Sequence, residues 1–320
     1  MRLGIIGCAE IAHRRFMPAV QDVSGIEPVA VSEEYAPDKL KEFTADYPMD
    51  AMDSHAALIA REDIDCVYIP QPPALHFKWA RAALQAGKHV LIEKPSTTCY
   101  ADSKALVDLA REKGLALHEN YMFQYHAQIE AVQNLLSEGV IGDLRLFRAD
   151  FGFPLRAQND FRYNPALGGG ALLDAGGYPV RLAAKLLGDT ARVTAAHMQY
   201  LPGFEVDMAG SVTVENEEGL VFQIGYGMDC GYRCALECWG SKGRLMTGRI
   251  FTAPPGFTPT VQIETANGTE TRELPEDAHF QHSIEEFLRE TENAEARNKM
   301  YDQILLQASM IEDIRSRSKA

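Results

Sequence analysis

His89-Val-Leu-Ile-Glu93-Lys94-Pro95 is the stretch that decides the fold. Residues of strand character run into two charges and a proline stops them, the pattern of a buried strand that delivers Glu93 and Lys94 to its carboxyl end. In an open parallel sheet, ligands bind at that edge. Taken alone, a strand-end lysine reads as a solvated charge paired with its neighbour. Its weight comes from the chain on either side.

Working back from it, Asp65-Cys-Val-Tyr-Ile69 is another apolar strand, broken by Pro70-Gln-Pro72-Pro73 and followed by His76 and a helix over 75–86. The prolines fix a rigid loop at the strand's carboxyl end. At the start of the chain, Arg2-Leu-Gly-Ile-Ile-Gly7 enters a strand at once, and Cys8-Ala9-Glu10-Ile11-Ala12 opens a helical run through Val20. Gly7-x-Ala9-x-x-Ala12 is a variant of the dinucleotide fingerprint, whose usual form has glycine at the middle position. Glu27-Pro-Val-Ala-Val31 is the next strand and ends in Ser32-Glu33-Glu34. An acid about twenty residues past the glycine turn accepts hydrogen bonds from ribose hydroxyls and repels a 2'-phosphate. Glu33 and Glu34 therefore favour NAD(H) over NADP(H). The latter stays open, because Arg14-Arg15 could receive a phosphate, although solvent is the simpler place for them.

Forward of Pro95, a helix over 100–113 leads into Leu115-Ala-Leu-His-Glu119-Asn120-Tyr121. Strands alternating with helices of this length predict a doubly wound parallel sheet, hence a Rossmann domain over 1–121. Beyond Tyr121 the pattern changes. A helix over 127–137 precedes Gly142-Asp-Leu-Arg-Leu-Phe-Arg-Ala-Asp-Phe151, and strand-like runs follow at 192–201, 206–214, 220–228, 233–239 and 261–271. Strands following strands predict an α+β domain over 122–320 with a large, mostly antiparallel open sheet. Amphipathic helices over 279–290 and 294–315 close the chain, with room to pack back on the first domain.

At 320 residues the chain is long enough for two domains with separate cores. Its 46% hydrophobic and 24% charged content is that of a globular protein. A formal net charge of -14 argues against a nucleic-acid or anionic-membrane partner. Neither a signal peptide nor an apolar run of transmembrane length is read in it, so a cytoplasmic protein with reduced thiols is expected. Cys230, Cys234 and Cys238 sit in a strand-like alternation without the close pairs of zinc sites, so no metal is expected.

The most informative stretch of the second part is Phe161-Arg162-Tyr163, then Gly168-Gly169-Gly170-Ala-Leu-Leu-Asp174-Ala-Gly176-Gly177-Tyr178-Pro179. Asp174 and Tyr178 are four apart in a helical segment, so both project from one face. On residue type alone, Asp174 could be a capping or paired acid and Tyr178 a packing ring.

Together, Gly4 through Ala12, Glu93-Lys94-Pro95, and Gly168 through Tyr178 resemble the glucose-fructose oxidoreductase/inositol dehydrogenase (Gfo/Idh/MocA) family, in the family's order and over nearly the whole chain. The resemblance implies a Rossmann domain, a C-terminal domain with a large open sheet, and nicotinamide-dependent redox chemistry on a sugar-like substrate. A closer similarity is to the 3-ketoreductases of nucleotide-linked deoxysugars. It is carried by Ala9 through Ala19, Glu119-Asn120-Tyr121-Met-Phe123 with His126, Asp160-Phe-Arg162-Tyr163 and Gly177-Tyr178-Pro179. There are three departures. Ala9 replaces the common glycine, Tyr178 stands where many members carry histidine, and Glu33-Glu34 replaces the Ser-Arg pair of NADP users.

The resemblance implies that Lys94, Tyr178 and Asp174 do the chemistry. A tyrosine with a reference pKa of about 10 needs a nearby cation to act at neutral pH, and Lys94 could supply it while polarising the reacting carbonyl. Asp174 would orient Lys94 or hold a sugar hydroxyl. Gly7, Ala9, Glu10, Ile11, Ala12, Glu33, Glu34, Pro70, Pro72, His76, Glu93, Lys94, Asn120 and Arg162 are expected against the cofactor, Glu93 beside the nicotinamide carboxamide or paired locally. His126 and Arg162, with Lys94, Asp174 and Tyr178, are expected against the substrate. Two other readings stay open: a dehydrogenase of free sugars or trans-dihydrodiols, and a cofactor-sensing binding protein without catalysis. An exposed C-terminal sheet implies a homodimer or homotetramer.

Overall fold

Alternation of short apolar strands with helices lays down, in chain order, β1 (Arg2–Ile6), α1 (Met17–Gln21), β2 (Glu27–Ser32), α2 (Pro37–Asp46), β3 (Asp50–Met52), α3 (His55–Ile59), β4 (Cys66–Ile69), α4 (Pro73–Gln85), β5 (His89–Glu93), α5 (Tyr100–Lys113) and β6 (Leu117–Asn120). In the computed structural model, which describes residues 1–318, these strands form one sheet in the order β3-β2-β1-β4-β5-β6. Every pairing in it is parallel. Parallel strands need both faces covered, so the central ones are apolar throughout: β4 is buried at all four positions, and β5 from Val90 to Ile92. The order reverses between β1 and β4, the switch point at which α/β sheets open a crevice outside their carboxyl ends. The short edge strand β3, with Asp50 at its start, falls outside the apolar pattern that marks the others.

The chain forms two compact units, one of Met1–Tyr121 with Phe280–Ala308, the other of Met122–His279 with the chain from Ser309 onward. The second unit contains α6 (Ala127–Ser137), β7 (Leu144–Gly152), α7 (Gly177–Leu187), β8 (Arg192–Tyr200), β9 (Asp207–Glu215), β10 (Val221–Gly227), β11 (Arg233–Gly240), β12 (Gly243–Gly248), β13 (Thr260–Thr265) and β14 (Gly268–Glu273). Its sheet runs β14-β13-β12-β11-β7-β10-β9-β8, and only β7 and β10 pair in parallel. This is the α/β class expected, a doubly wound parallel sheet plus a large, mostly antiparallel one. Alternation sets its faces: on β7, Phe147, Ala149 and Phe151 are buried, whereas Arg148 between them is exposed. The buried face carries α7. The single strand expected over 261–271 is instead the hairpin of β13 and β14. Ala266-Asn267 turns the chain there, with Thr265 paired to Gly268, whose φ is +122°.

The chain closes with α8 (His279–Glu292) and α9 (Ala294–Arg317). Within the first unit these helices anchor on β6 and its flanks. Tyr301 donates to the carbonyl of Leu115, and Gln307 Nε2 donates to Tyr121 Oη at 3.2 Å. The final two residues of the expected 122–320 domain lie outside the described residues. No helix among the described residues is long and apolar enough to cross a membrane.

Candidate functional site

The carboxyl ends of the parallel strands gather most of the residues expected against a cofactor. Gly7 ends β1 at φ +107°, a region that L side chains rarely adopt, and its N–H donates to Ser32 O at 2.8 Å. A Cβ there would come within 2.4 Å of Gln71 Nε2, so a side chain at this position would also have to displace the Gln71 amide. The chain then enters a wide, π-type helical turn, Ala12–Phe16, before α1. Glu10 is exposed and pairs with Arg14 at 2.9 Å, which occupies one of the two arginines weighed as phosphate receivers.

At the end of β2 the Glu33 carboxylate bridges two backbone donors, taking Cys8 N at 3.0 Å and Tyr35 N at 2.9 Å. It is thereby fixed against the glycine turn. Burial, and secondarily Glu33, push the Cys8 thiol up to about 12, so it stays protonated. Glu34 accepts from His55 N at 2.8 Å. His55 is buried, its Nδ1 2.8 Å from Ser32 Oγ and its Nε2 3.2 Å from Gln71 Nε2, and burial pulls its pKa down.

Pro70 and Pro72 frame the loop after β4, and Gln71 between them donates to Ile6 O at 3.2 Å, tying it to β1. His76 is wholly buried. Its Nδ1 lies 2.7 Å from Pro95 O and its Nε2 2.6 Å from Gln71 O, so it joins the β4 loop to the turn that carries Lys94. Burial pushes its pKa down to about 4, with Lys94 adding to the effect. His76 is thus a latch beneath the loop.

Glu93 Oε1 accepts from Tyr68 Oη at 2.8 Å and Asn120 Nδ2 at 2.7 Å. Burial raises the Glu93 carboxyl, and those two hydrogen bonds oppose the rise. Lys94 is half-buried and is followed by a cis peptide to Pro95. Glu119, not singled out by the sequence, is buried and accepts from Ser96 N at 2.7 Å, fixing the turn after Lys94 from the neighbouring strand.

In the second unit, Asp174 lies in the wide turn Leu172–Gly176 that leads into α7, and Tyr178 is the second residue of α7. Asp174 Oδ2 takes Arg162 Nε at 2.6 Å, and Arg162 Nη1 reaches Asp160 Oδ1 at 3.1 Å. Burial pulls the guanidinium's pKa down, and Asp174 with Asp160 more than offsets it, so Arg162 stays charged. Its guanidinium also lies over the Phe161 ring at 4.6 Å. Two of the expected substrate residues are therefore one another's partners. Tyr178 is 8% exposed, its ring 5.1 Å from Phe151, 5.8 Å from Phe123 and 5.9 Å from Phe251. His126 caps α6, its Nδ1 accepting from Gln128 N at 3.1 Å, and its ring lies 5.5 Å from His279.

All six cysteines are free, and no group of three or more His, Cys, Asp or Glu among the described residues is placed to hold a metal. The features that suit a dinucleotide are the positive-φ glycine between strand and helical turn and the acid fixed at the end of β2.

The profile described as "Oxidoreductase family, NAD-binding Rossmann fold" matches residues 1–121, and the "GFO/IDH/MocA C-terminal domain" matches residues 129–246. A dTDP-3,4-didehydro-2,6-dideoxy-alpha-D-glucose 3-reductase of Saccharopolyspora spinosa is 42% identical over 91% of this chain and 87% of its own. The chain belongs to the GFO/IDH/MocA oxidoreductase family. A reductase of the same name from Actinomadura kijaniata is 38% identical over 99% of this chain and 95% of its own. A crystal structure of a 3-ketoreductase from that organism, with NADP and TDP-benzene, superposes with a TM-score of 0.95 at 38% identity, over 99% of this chain and 97% of the other. As a member of this family the chain is an oxidoreductase with a nicotinamide-dinucleotide-binding Rossmann fold.

Outside the expected set, the structure adds Tyr68, Gln71, His118, Glu119, Ser283 and Glu290 to the hydrogen-bonded surroundings of the strand ends. Tyr68, His118 and Glu119 are polar positions within apolar strands, whereas Gln71, Ser283 and Glu290 lie in a proline loop and an amphipathic helix where polarity is no signal. The pairing of His118 with a helix more than 160 residues away has no local signature at all.

Proposed function

We propose that the chain reduces the 3-keto group of a nucleotide-linked deoxysugar with a reduced nicotinamide dinucleotide. The observation that carries the reading is the full-length likeness to 3-reductases of such sugars. A second fact supports the residues. The Actinomadura kijaniata enzyme was also solved with one lysine replaced and with one tyrosine replaced, and their separation along that chain equals that of Lys94 and Tyr178 here.

When bound, the dinucleotide supplies a hydride to the carbonyl carbon. The chain's part is to bind, orient and manage the proton on the carbonyl oxygen. Gly7, Ala9, Ile11 and Ala12 would line the pyrophosphate turn, Glu33 would meet the adenosine ribose, and Glu93 and Asn120 would stand at the nicotinamide end. Lys94 Nζ would polarise the carbonyl oxygen, and Tyr178 Oη would donate the proton to it. Asp174 and Arg162, already paired, would present a fixed carboxylate edge and guanidinium to sugar hydroxyls. His126 would line the same substrate. The first unit serves as the cofactor domain and the second as the substrate and oligomerisation domain, in a homodimer or homotetramer.

For the cofactor, we infer a preference for NADH. The solved relatives carry NADP, yet this chain holds Glu33 and Glu34 at the end of β2, where a 2'-phosphate would meet negative charge.

The test is reduced-nicotinamide absorbance at steady state, in wild type and Tyr178→Phe, with NADH and NADPH against nucleotide-linked 3-keto-deoxysugars. Tyr178→Phe keeps the ring among Phe123, Phe151 and Phe251, so the variant should fold and bind cofactor while kcat drops about 10²- to 10⁴-fold, the usual worth of a positioned acid. Near-normal turnover in Tyr178→Phe would remove the proton donor from the mechanism. Turnover with NAD or NADP on free sugars alone would place the chain with the dehydrogenases.

A further inference from the structure

One buried chain of hydrogen bonds runs from the Glu93 carboxylate, away from Lys94, into the C-terminal helix α8. Its proton directions follow from the chemistry of each atom. Glu93 Oε1 accepts from Tyr68 Oη and from Asn120 Nδ2. With its amide nitrogen committed there, Asn120 offers Oδ1 to Ser283 Oγ at 2.8 Å. An amide oxygen only accepts, so Ser283 donates its single proton to Asn120. Towards its other neighbour, His118 Nε2 at 3.0 Å, Ser283 then has only lone pairs. Nε2 must carry a proton. On the far side of the ring, Nδ1 lies 3.0 Å from Glu290 Oε1, and a contact this short between two acceptors needs a proton between them. The pair is either an imidazolium on a carboxylate or a neutral ring on a carboxylic acid, and both forms hold the same number of protons.

We propose that His118 and Glu290, acting through Ser283, are positioning residues that lock the Asn120 amide and with it the Glu93 carboxylate beside Lys94, and that the lock requires the proton they share. The proposal rests on the reading of Glu93 and Asn120 as the nicotinamide end of the site. Loss of that proton has a defined consequence. The ring keeps its remaining proton on Nδ1, facing the Glu290 carboxylate, and Nε2 becomes an acceptor. Ser283 then turns its hydroxyl proton from Asn120 Oδ1 to His118 Nε2. No proton beyond the one released leaves the chain, and Asn120 loses the donor that fixed its orientation.

The surroundings suit such a device. His118 and Glu290 are both wholly buried, as is Ser283 to within 1%. Burial raises the Glu290 carboxyl, which keeps the shared proton in place. The charged and titratable groups around the pair are Glu286 and Arg289 on α8, paired with each other at 2.6 Å, and, on α9, Tyr301 and Arg297, whose Nη1 donates to Glu290 O at 2.9 Å. From β6 the facing titratable group is His118 itself, with the Phe287 ring 6.2 Å from it. Lys94 and Tyr68 are the titratable groups at the Glu93 end.

The experiment measures NADH dissociation constants by fluorescence from pH 6 to 10, with melting temperatures alongside, for wild type, Ser283→Ala, Glu290→Gln and Asn120→Ala. Wild type should show an alkaline limb in which affinity falls. Glu290→Gln, whose amide proton does not ionise, should abolish the limb. Ser283→Ala should weaken binding about threefold to tenfold at all pH values, the worth of one hydrogen bond. The imidazole nitrogen shifts of His118 should report transfer of the proton from Nε2 to Nδ1 across the same limb. An identical pH profile in wild type and Glu290→Gln, together with weakened binding in Asn120→Ala, would overturn the lock while leaving the cofactor reading of Asn120 intact. Unchanged affinity in Asn120→Ala would overturn that cofactor reading, and the lock with it.

Discussion

Replacing Glu33 with glutamine should move the chain's cofactor preference towards NADPH. The carboxylate is fixed by Cys8 N and Tyr35 N, so it cannot swing away from a phosphate on the adjoining ribose. Glutamine retains one oxygen for one of these N–H groups and removes the charge. Two like charges a few ångströms apart at a half-exposed strand end repel by about 1 to 3 kcal/mol, between the limits for bulk water and a protein surface, which is about 5- to 150-fold in affinity. The ratio of the NADPH to the NADH dissociation constant should therefore fall by that factor in Glu33→Gln. The lost backbone hydrogen bond acts on both cofactors and cancels in the ratio, whereas weaker acceptance from the NADH ribose hydroxyl lowers the ratio further. Fluorescence titration with each nucleotide at low ionic strength gives the number, and repeating it in high salt should shrink the difference, because exposed charges are screened. A wild type that binds NADPH more tightly than NADH, or a ratio unmoved by the substitution, would refute the reasoning.

Further outcomes are expected elsewhere in the chain. Gly169→Ala would bring a Cβ within 2.4 Å of Arg162 O and 2.9 Å of Asn164 O, backbone atoms with no room to move, so the variant should lose about 1–3 kcal/mol and melt lower in calorimetry. Asp207 is buried, accepts from Leu172 N at 2.7 Å, and has its carboxyl pushed up to about 6 by burial. Its folded pKa lies above the unfolded value, so the folded state holds the extra proton, and this contribution is present in full below about pH 4 and is lost as pH rises through 6. Asp207→Asn should accordingly gain stability over wild type with rising pH, by at most about 3 kcal/mol at pH 7, in denaturant titrations at pH 4 and pH 7. A constant difference between the two pH values would count against a buried, ionising Asp207. Arg162→Lys keeps the charge and loses the fork that reaches Asp174 and Asp160 together, so KM for the sugar substrate should rise while the NADH dissociation constant stays within about twofold.

The parallel sheet was legible because its physics is local. A strand buried on both faces must be apolar along its length, as Val90–Ile92 and β4 are, and a glycine forced to φ +107° at the end of β1 must be glycine. Glu93, Lys94 and Glu33 were legible for the same reason, as charges where an apolar strand stops. The hairpin at 261–271 was read as one strand because the Ala266-Asn267 turn takes only two residues and both arms keep strand composition. The π-type turn at Leu172–Gly176 has no compositional mark, and the sequence shows only a helical segment there.

What the sequence determined by itself was the order of the main strands and helices and the family. Each is set by near neighbours or by motifs whose spacing is fixed along the chain. Only the tertiary structure decided which polar groups satisfy one another: Glu33 with Cys8 N and Tyr35 N, Arg162 with Asp174, and His118 with Glu290 and Ser283. A buried polar atom must find a partner, and the partner is chosen by packing between elements far apart in the chain, where residue spacing carries no information.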